Sequence, residues 1–266
     1  MTEAGTGTLV SLQVGDGLAQ LTLRRPERHN AIDAEVVHDL ARAMSELSAA
    51  SDVRAVLVAA EGADFTVGGD LDHLAASADS LVDELRTNVA VYHGALETLY
   101  SLDVPVLCAV QGAAAGGGVG LMWAADGVIA ASDLRLAPGN VSVGLGPDGG
   151  STWALPRLAG EHRARAVLLF GRTLSAVEAL EWGLVDRVVE PDALRPDAEA
   201  WARELAAGPT VAYCQIKRLL RSSLQMGWAE QLAAERLALM TSGSSADARE
   251  GVLSFIERRP PRFAGH

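Results

Sequence analysis

Two glycine clusters are the residues of this chain whose type and spacing could do chemistry. Gly68-Gly69 follows the β-type run Phe65-Thr66-Val67, and Gly116-Gly117-Gly118 follows the apolar run Val106 to Val110 and three alanines. A strand that ends in a glycine turn and opens an apolar helix collects free backbone N–H groups, and the helix dipole favours negative charge there. No side chain stands between such amides and a ligand. Two turns of this kind could converge on one carbonyl oxygen as an oxyanion hole, each donor contributing on the order of 3 kcal/mol to a developing negative charge. On spacing alone, tight turns and close packing are the commoner use of such glycines. Other glycine chemistries fail. A dinucleotide G-x-G-x-x-G started at Gly116 meets Leu121, and started at Gly118 it meets Trp123. No P-loop Lys-Ser/Thr follows the glycines. A nucleophile elbow started at Gly149 ends in Trp153, and no H-E-x-x-H occurs.

The elements that must position these clusters alternate between strand and helix. Leu9 to Val14 and Leu18 to Leu23 are short β-type runs split by the hairpin signal Gly15-Asp16-Gly17. A basic loop, Arg24 to Ala31, follows. Asp33 caps a helix with Val36, Val37, Leu40, Met44 and Leu47 at helical spacing. Val53 to Ala59 reads as a buried strand, His73 to Ser80 as a small, polar, mobile loop, and Leu81 to Leu102 as a long helix. Gly127 to Ala131 is a further strand, and Leu136 to Gly150 is glycine-rich. Ser151 to Leu158, Arg163 to Leu169 and Ser175 to Trp182 read as helices, and Val188-Val189 as a strand. From Asp197 the pattern is helical to about Ile256, with breaks near Gly208-Pro209 and Thr241 to Ser245.

Composition bounds the rest. At 266 residues and 49% apolar, the chain can bury an α/β core. A net charge of −12 argues against a nucleic-acid surface, while a phosphate-bearing ligand needs only a local basic patch. Cys108 and Cys214 lie in apolar contexts without metal-ligand spacing, as reduced, buried thiols would. No charged segment leads into an apolar run at the N-terminus, and no run of about 18 apolar residues occurs. The expectation is a cytoplasmic protein with no metal site.

The ordered motifs resemble the crotonase, or enoyl-CoA hydratase/isomerase, superfamily. They are Arg25-Pro26-Glu27-Arg28-His29-Asn30-Ala31-Ile32, Phe65 to Leu71, Val104-Pro105-Val106 through Gly118, Gly144 to Gly150, Glu181 to Val185, and Glu250-Gly251-Val252 with Phe255. The resemblance implies an α/β spiral of ββα units over residues 1–195 and a C-terminal helical region, 196–266, that trimerises into a homotrimer or dimer of trimers. It implies an acyl-CoA substrate and no separate cofactor, coenzyme A arriving with the substrate. It also implies a thioester carbonyl held by the N–H groups of Gly69 and Gly117. Arg25, Arg28 and Ala31 would lie near the CoA nucleotide, and Gly68, Gly69, Asp70, Leu71 and Gly117 would complete the binding loop, with Asp70 tying it. The tail Glu257 to Phe263 resembles a segment that in many members reaches the CoA of a neighbouring subunit.

Departures from the pattern point to the reaction. The two glutamates that hydratases of this family use fall on Gly120 and Asn140, and neither can act as a general base. Asp148, in Gly-Pro-Asp-Gly-Gly-Ser-Thr-Trp, resembles the epoxide and enoyl-CoA isomerase branch of phenylacetate breakdown, where an aspartate at this place serves the chemistry. Leu145 and Trp153 would bury it and raise its pKa. An aspartate just before a helix is also a common N-cap. His93 and Gly120 fit the 4-halobenzoyl-CoA dehalogenase branch, but the tryptophan of those enzymes falls on Asn140, and Gly69 replaces a bulky aromatic. Double-bond isomerisation is the expected activity. A catalytically silent acyl-CoA-binding member, a dehalogenase-like hydrolase and a hydratase are the alternatives.

Overall fold

The computed structural model describes residues 8–266. Strands β1 (Val10–Gly15) and β2 (Leu18–Leu23) pair antiparallel about Asp16 and Gly17. Both turn residues have positive φ, as the tightest hairpin turn requires. Helix α1 (Ala34–Ala49) is capped by Asp33, whose side chain accepts from the Glu35 and Val36 amides. It leads to β3 (Ala55–Ala60), which runs parallel to β2.

Helices α2 (Leu71–Ala76) and α3 (Leu81–Ser101) then cross to β4 (Val106–Val110). The chain continues through β5 (Ala113–Ala115), a 3-10 turn over Gly116–Val119 and the single-turn α4 (Gly120–Trp123). Next come β6 (Gly127–Ala131), β7 (Arg135–Ala137), α5 (Ser151–Ala159) and α6 (Glu161–Leu168). The core closes with β8 (Leu174–Ser175), α7 (Ala176–Glu181) and β9 (Arg187–Val189).

The large sheet has the order β1-β2-β3-β4-β6-β9 and is parallel from β2 onward. Its central strands are buried on both faces, which explains their unbroken apolar runs. Alternate residues choose the layer. Val56, Val58, Val106 and Cys108 face the layer of α1 and α3. Leu57, Ala59, Leu107 and Ile129 face α8 (Pro191–Ala206) through Leu194, Ala198 and Ala202. A second sheet, β5-β7-β8, stands beside the first. Helices α9 (Thr210–Ser223), α10 (Trp228–Gly243) and α11 (Ala246–Glu257) form the C-terminal part.

Several segments differ from expectation. His73 to Ser80 is not a loop: most of it is helix α2 and a 3-10 turn, because Asp70 caps α2 by accepting from the Asp72 and His73 amides. Helix α8 starts at Pro191 and runs through residues 195 and 196, so the expected division falls inside a helix that covers the sheet. A further break, Leu224 to Gly227, separates α9 from α10. The tail folds back on its own chain: buried Asp247 accepts from the Ala264 and Gly265 amides, and Glu250 from Arg259 and the Arg262 amide. No helix among the described residues is long and apolar enough to cross a membrane.

Candidate active site

Backbone pairing lays the two glycine clusters side by side. Thr66 bridges Ala114, with the Thr66 amide donating to Ala113 O (3.0 Å) and the Ala115 amide to Thr66 O (2.9 Å). Gly68 has φ +84°, and a Cβ there would lie 2.8 Å from Ala115 O and 3.2 Å from Gly116 Cα. Only glycine permits that conformation at that approach. The Gly69 and Gly117 N–H groups donate to no acceptor among the described residues. Both residues line a cavity of about 700 Å³.

Asp148 lies directly over the second cluster. A Cβ on Gly117 would come within 3.0 Å of Asp148 Cγ and clash with the carboxylate. Gly149 and Gly150, both with positive φ, turn the chain into α5. That helix has no side-chain cap, so the capping role is not the one Asp148 plays. Its Oδ1 instead lies 2.5 Å from Nε2 of His93 on α3. The carboxylate is 26% exposed and the imidazole 47%. Trp153 does not bury Asp148 as expected. Its ring packs edge-on to Tyr100 and carries the Arg157 guanidinium, 4.3 Å from its centroid. Leu145 does line the cavity.

Sequence reasoning missed Tyr92. It is buried, and its hydroxyl donates to Gly117 O at 2.9 Å. Burial, then the charge of Asp148, pushes its pKa well up, so the hydroxyl stays a donor. The signal was the helical spacing of Leu85, Asn88, Val89, Tyr92 and His93, all of which face the cavity. His73, read as a solvated loop residue, stands on α2 with Nε2 3.4 Å from Glu84 Oε2. Asn88 also donates to that oxygen, at 2.9 Å.

The two positions where hydratases carry glutamates are filled differently. A Cβ on Gly120 would lie 2.9 Å from Gly149 O and 3.0 Å from Gly149 Cα, so no glutamate fits without moving that backbone. Asn140 lines the cavity and donates to Gly146 O at 3.0 Å.

The basic loop is already neutralised. Arg25 pairs with Asp33 (2.7 Å) and donates to the carbonyl of buried Ala31 (3.1 Å). Arg28 reaches Asp70 (2.8 Å) and Asp72 (3.1 Å), and Arg24 pairs with Glu61. Asp70, 4% exposed, therefore ties the loop as expected. Burial alone would raise its pKa, but Arg28, the His73 amide and Arg25 outweigh it and hold it below the usual carboxylate range. The cavity thus gathers Gly69, Gly117, Asp148, His93, Asn140, Asp70 and Leu71, while Arg25, Arg28, Ala31, Gly68 and Gly120 lie outside its lining. No cluster with metal-binding geometry occurs among the described residues.

Known proteins resemble this chain over nearly its whole length. The sequence profile described as enoyl-CoA hydratase/isomerase matches residues 13–266. An enoyl-CoA hydratase homologue from Rhodobacter capsulatus is 39% identical over 96% of this chain and 98% of its own length. The 1,2-epoxyphenylacetyl-CoA isomerase of Escherichia coli is 37% identical over 95% of this chain and 97% of its own. A crystal structure of an enoyl-CoA hydratase/isomerase-type protein from Mycobacterium abscessus superposes with a TM-score of 0.93 at 35% identity, covering 97% of this chain and 100% of that one. A profile matched over residues 13–266 and relatives this similar over this length share one fold and one ancestry, and the chain belongs to the enoyl-CoA hydratase/isomerase family of the crotonase superfamily.

Proposed function

We propose that this protein is an enoyl-CoA isomerase that moves a double bond into conjugation with the thioester. The Asp148 carboxylate takes a proton from the α-carbon of a 3-enoyl thioester. The electron pair moves toward the carbonyl, giving a dienolate whose oxygen accepts from the Gly69 and Gly117 amides. Collapse of the dienolate takes the proton back at the γ-carbon, and the carboxylate is regenerated. Atoms and electrons balance with no redox group and no water, and CoA is part of the substrate. His93 holds Asp148 over Gly117, and Tyr92 holds the Gly117 peptide. The single observation that carries this reading is the Asp148 carboxylate packed on Gly117, beside an amide without an acceptor. The lack of room at Gly120 weighs against the two-glutamate hydration mechanism. Assembly through the C-terminal helices belongs to the same reading.

The test is Asp148→Asn with a 3-enoyl-CoA, followed by the absorbance of the conjugated thioester. A drop of about a thousandfold in kcat with unchanged CoA binding is expected; an unchanged rate overturns the reading. The contact between His93 and Asp148 also favours a second reading, in which Asp148 attacks an activated aromatic carbon as a nucleophile. Halide release from a 4-halobenzoyl-CoA would identify that chemistry.

A further inference from the structure

Two polar groups on the cavity lining are set apart along α3. At one end stand Asp148, His93 and the glycine amides. At the other, His73 of α2 and Asn88 of α3 both contact Glu84 Oε2, at 3.4 Å and 2.9 Å. Leu74, Leu85 and Val89 belong to the same lining. Glu84 and His93 are nine residues apart on one helix, about 13 Å of axial rise. The proposed reaction uses nothing at the Glu84 end.

The far end has acceptors to spare. Glu84 Oε1 and Asn88 Oδ1 receive no hydrogen bond among the described residues, while Glu84 Oε2 is fully engaged. The Glu84 side chain is only 33% exposed, so it is drawn partly out of water. A partly desolvated carboxylate with a free oxygen favours a donor and repels an anion. Arg86 of the same lining is paired with Asp83, so Glu84 disfavours a CoA phosphate here, and the far end of an acyl chain is the better occupant. A plain alkyl terminus would desolvate Glu84 and return nothing.

We infer that the Glu84–Asn88–His73 cluster is a specificity site for acyl thioesters that carry a hydroxyl at the end remote from the thioester. This rests on the reading that the cavity holds an acyl thioester. The hydroxyl donates to Glu84 Oε1 or Asn88 Oδ1 while the carbonyl sits at the glycine amides, so the cavity measures the distance between the two groups. Plain acyl chains of equal length bind more weakly.

Calorimetric titration tests this on the whole protein without turnover. The ligands are hexanoyl-, octanoyl- and decanoyl-CoA and their ω-hydroxy counterparts. For at least one length the hydroxylated ligand should bind about tenfold more tightly. Glu84→Leu should abolish or reverse that preference, and Asn88→Leu should reduce it. Equal affinity for every pair overturns the inference and leaves the isomerase reading intact. Failure of every acyl-CoA to bind overturns both. A preference that survives in Glu84→Leu and Asn88→Leu alike also overturns the inference.

Discussion

At the scale of single residues, the face of Gly117 is the tightest constraint in the site. Its Cα touches Asp148, its carbonyl accepts from Tyr92, and its amide is free. Gly117→Ala should push the carboxylate off its position and lower kcat at least a hundredfold, while thermal melting moves little, because only a side chain and not a core is displaced. His93→Gln keeps one hydrogen-bonding group near Asp148 but cannot carry charge. It should lower kcat about tenfold or more. An unchanged kcat would remove His93 from the mechanism. The glycine clusters stood out by their spacing, but the donor role given to Gly69 and Gly117 came from the family resemblance, as did the attention to Asp148. The contact between His93 and Asp148 was suggested only by the dehalogenase resemblance, because 55 residues separate them and the packing of α3 over the 144–150 segment brings them together.

At the scale of elements, the join between the basic loop and α2 gathers a cap and several ion pairs on one carboxylate. Asp70 accepts from Arg28, approaches Arg25 and caps α2, all while almost fully buried. Asp70→Ala leaves Arg25 and Arg28 short of a partner and α2 without its cap, and should cost about 3 kcal/mol, read by urea denaturation. Because the folded state holds this carboxyl below its ordinary pKa, its contribution is complete above about pH 4 and is lost as pH falls through the folded value. Asp70→Asn should therefore melt lower than wild type at neutral pH and show a shallower loss of stability below pH 4. A parallel acid limb in the two proteins would rule this out. The same join explains where sequence reading stopped. Residues 73–80 are small and polar and carry no strong helical stripe, so α2 depends on its cap and on His73 meeting Glu84. The three-residue strands β5 and β7 are too short for a period to register, yet β5, through its bridge to Thr66, lays one glycine cluster against the other. By contrast, β2, β3, β4, β6 and α1 were plain in the sequence, because each buries a full stripe of apolar side chains.

At the scale of the whole molecule, the C-terminal helices leave a broad apolar surface uncovered. Leu220, Leu224, Trp228, Met240, Phe255 and Ile256 are all exposed, more than a lone protein usually shows in one region. Sedimentation should find an oligomer, and Leu224→Glu with Trp228→Glu should shift it to smaller species without unfolding it. A monomer at all concentrations would contradict this. The region is anchored to the core by Lys217 of α9, buried against Asp126 and the Val104 carbonyl, and Asp126 in turn accepts from the Val106 amide at the start of β4. The backbone of Gly149 rests on Gly120. A glutamate introduced at 120 by one mutation would meet main chain, not an empty slot, so the protein would lose stability before any side chain there could reach a substrate. Positions 120 and 149 are thereby tied: neither the turn nor the buried glycine can change alone.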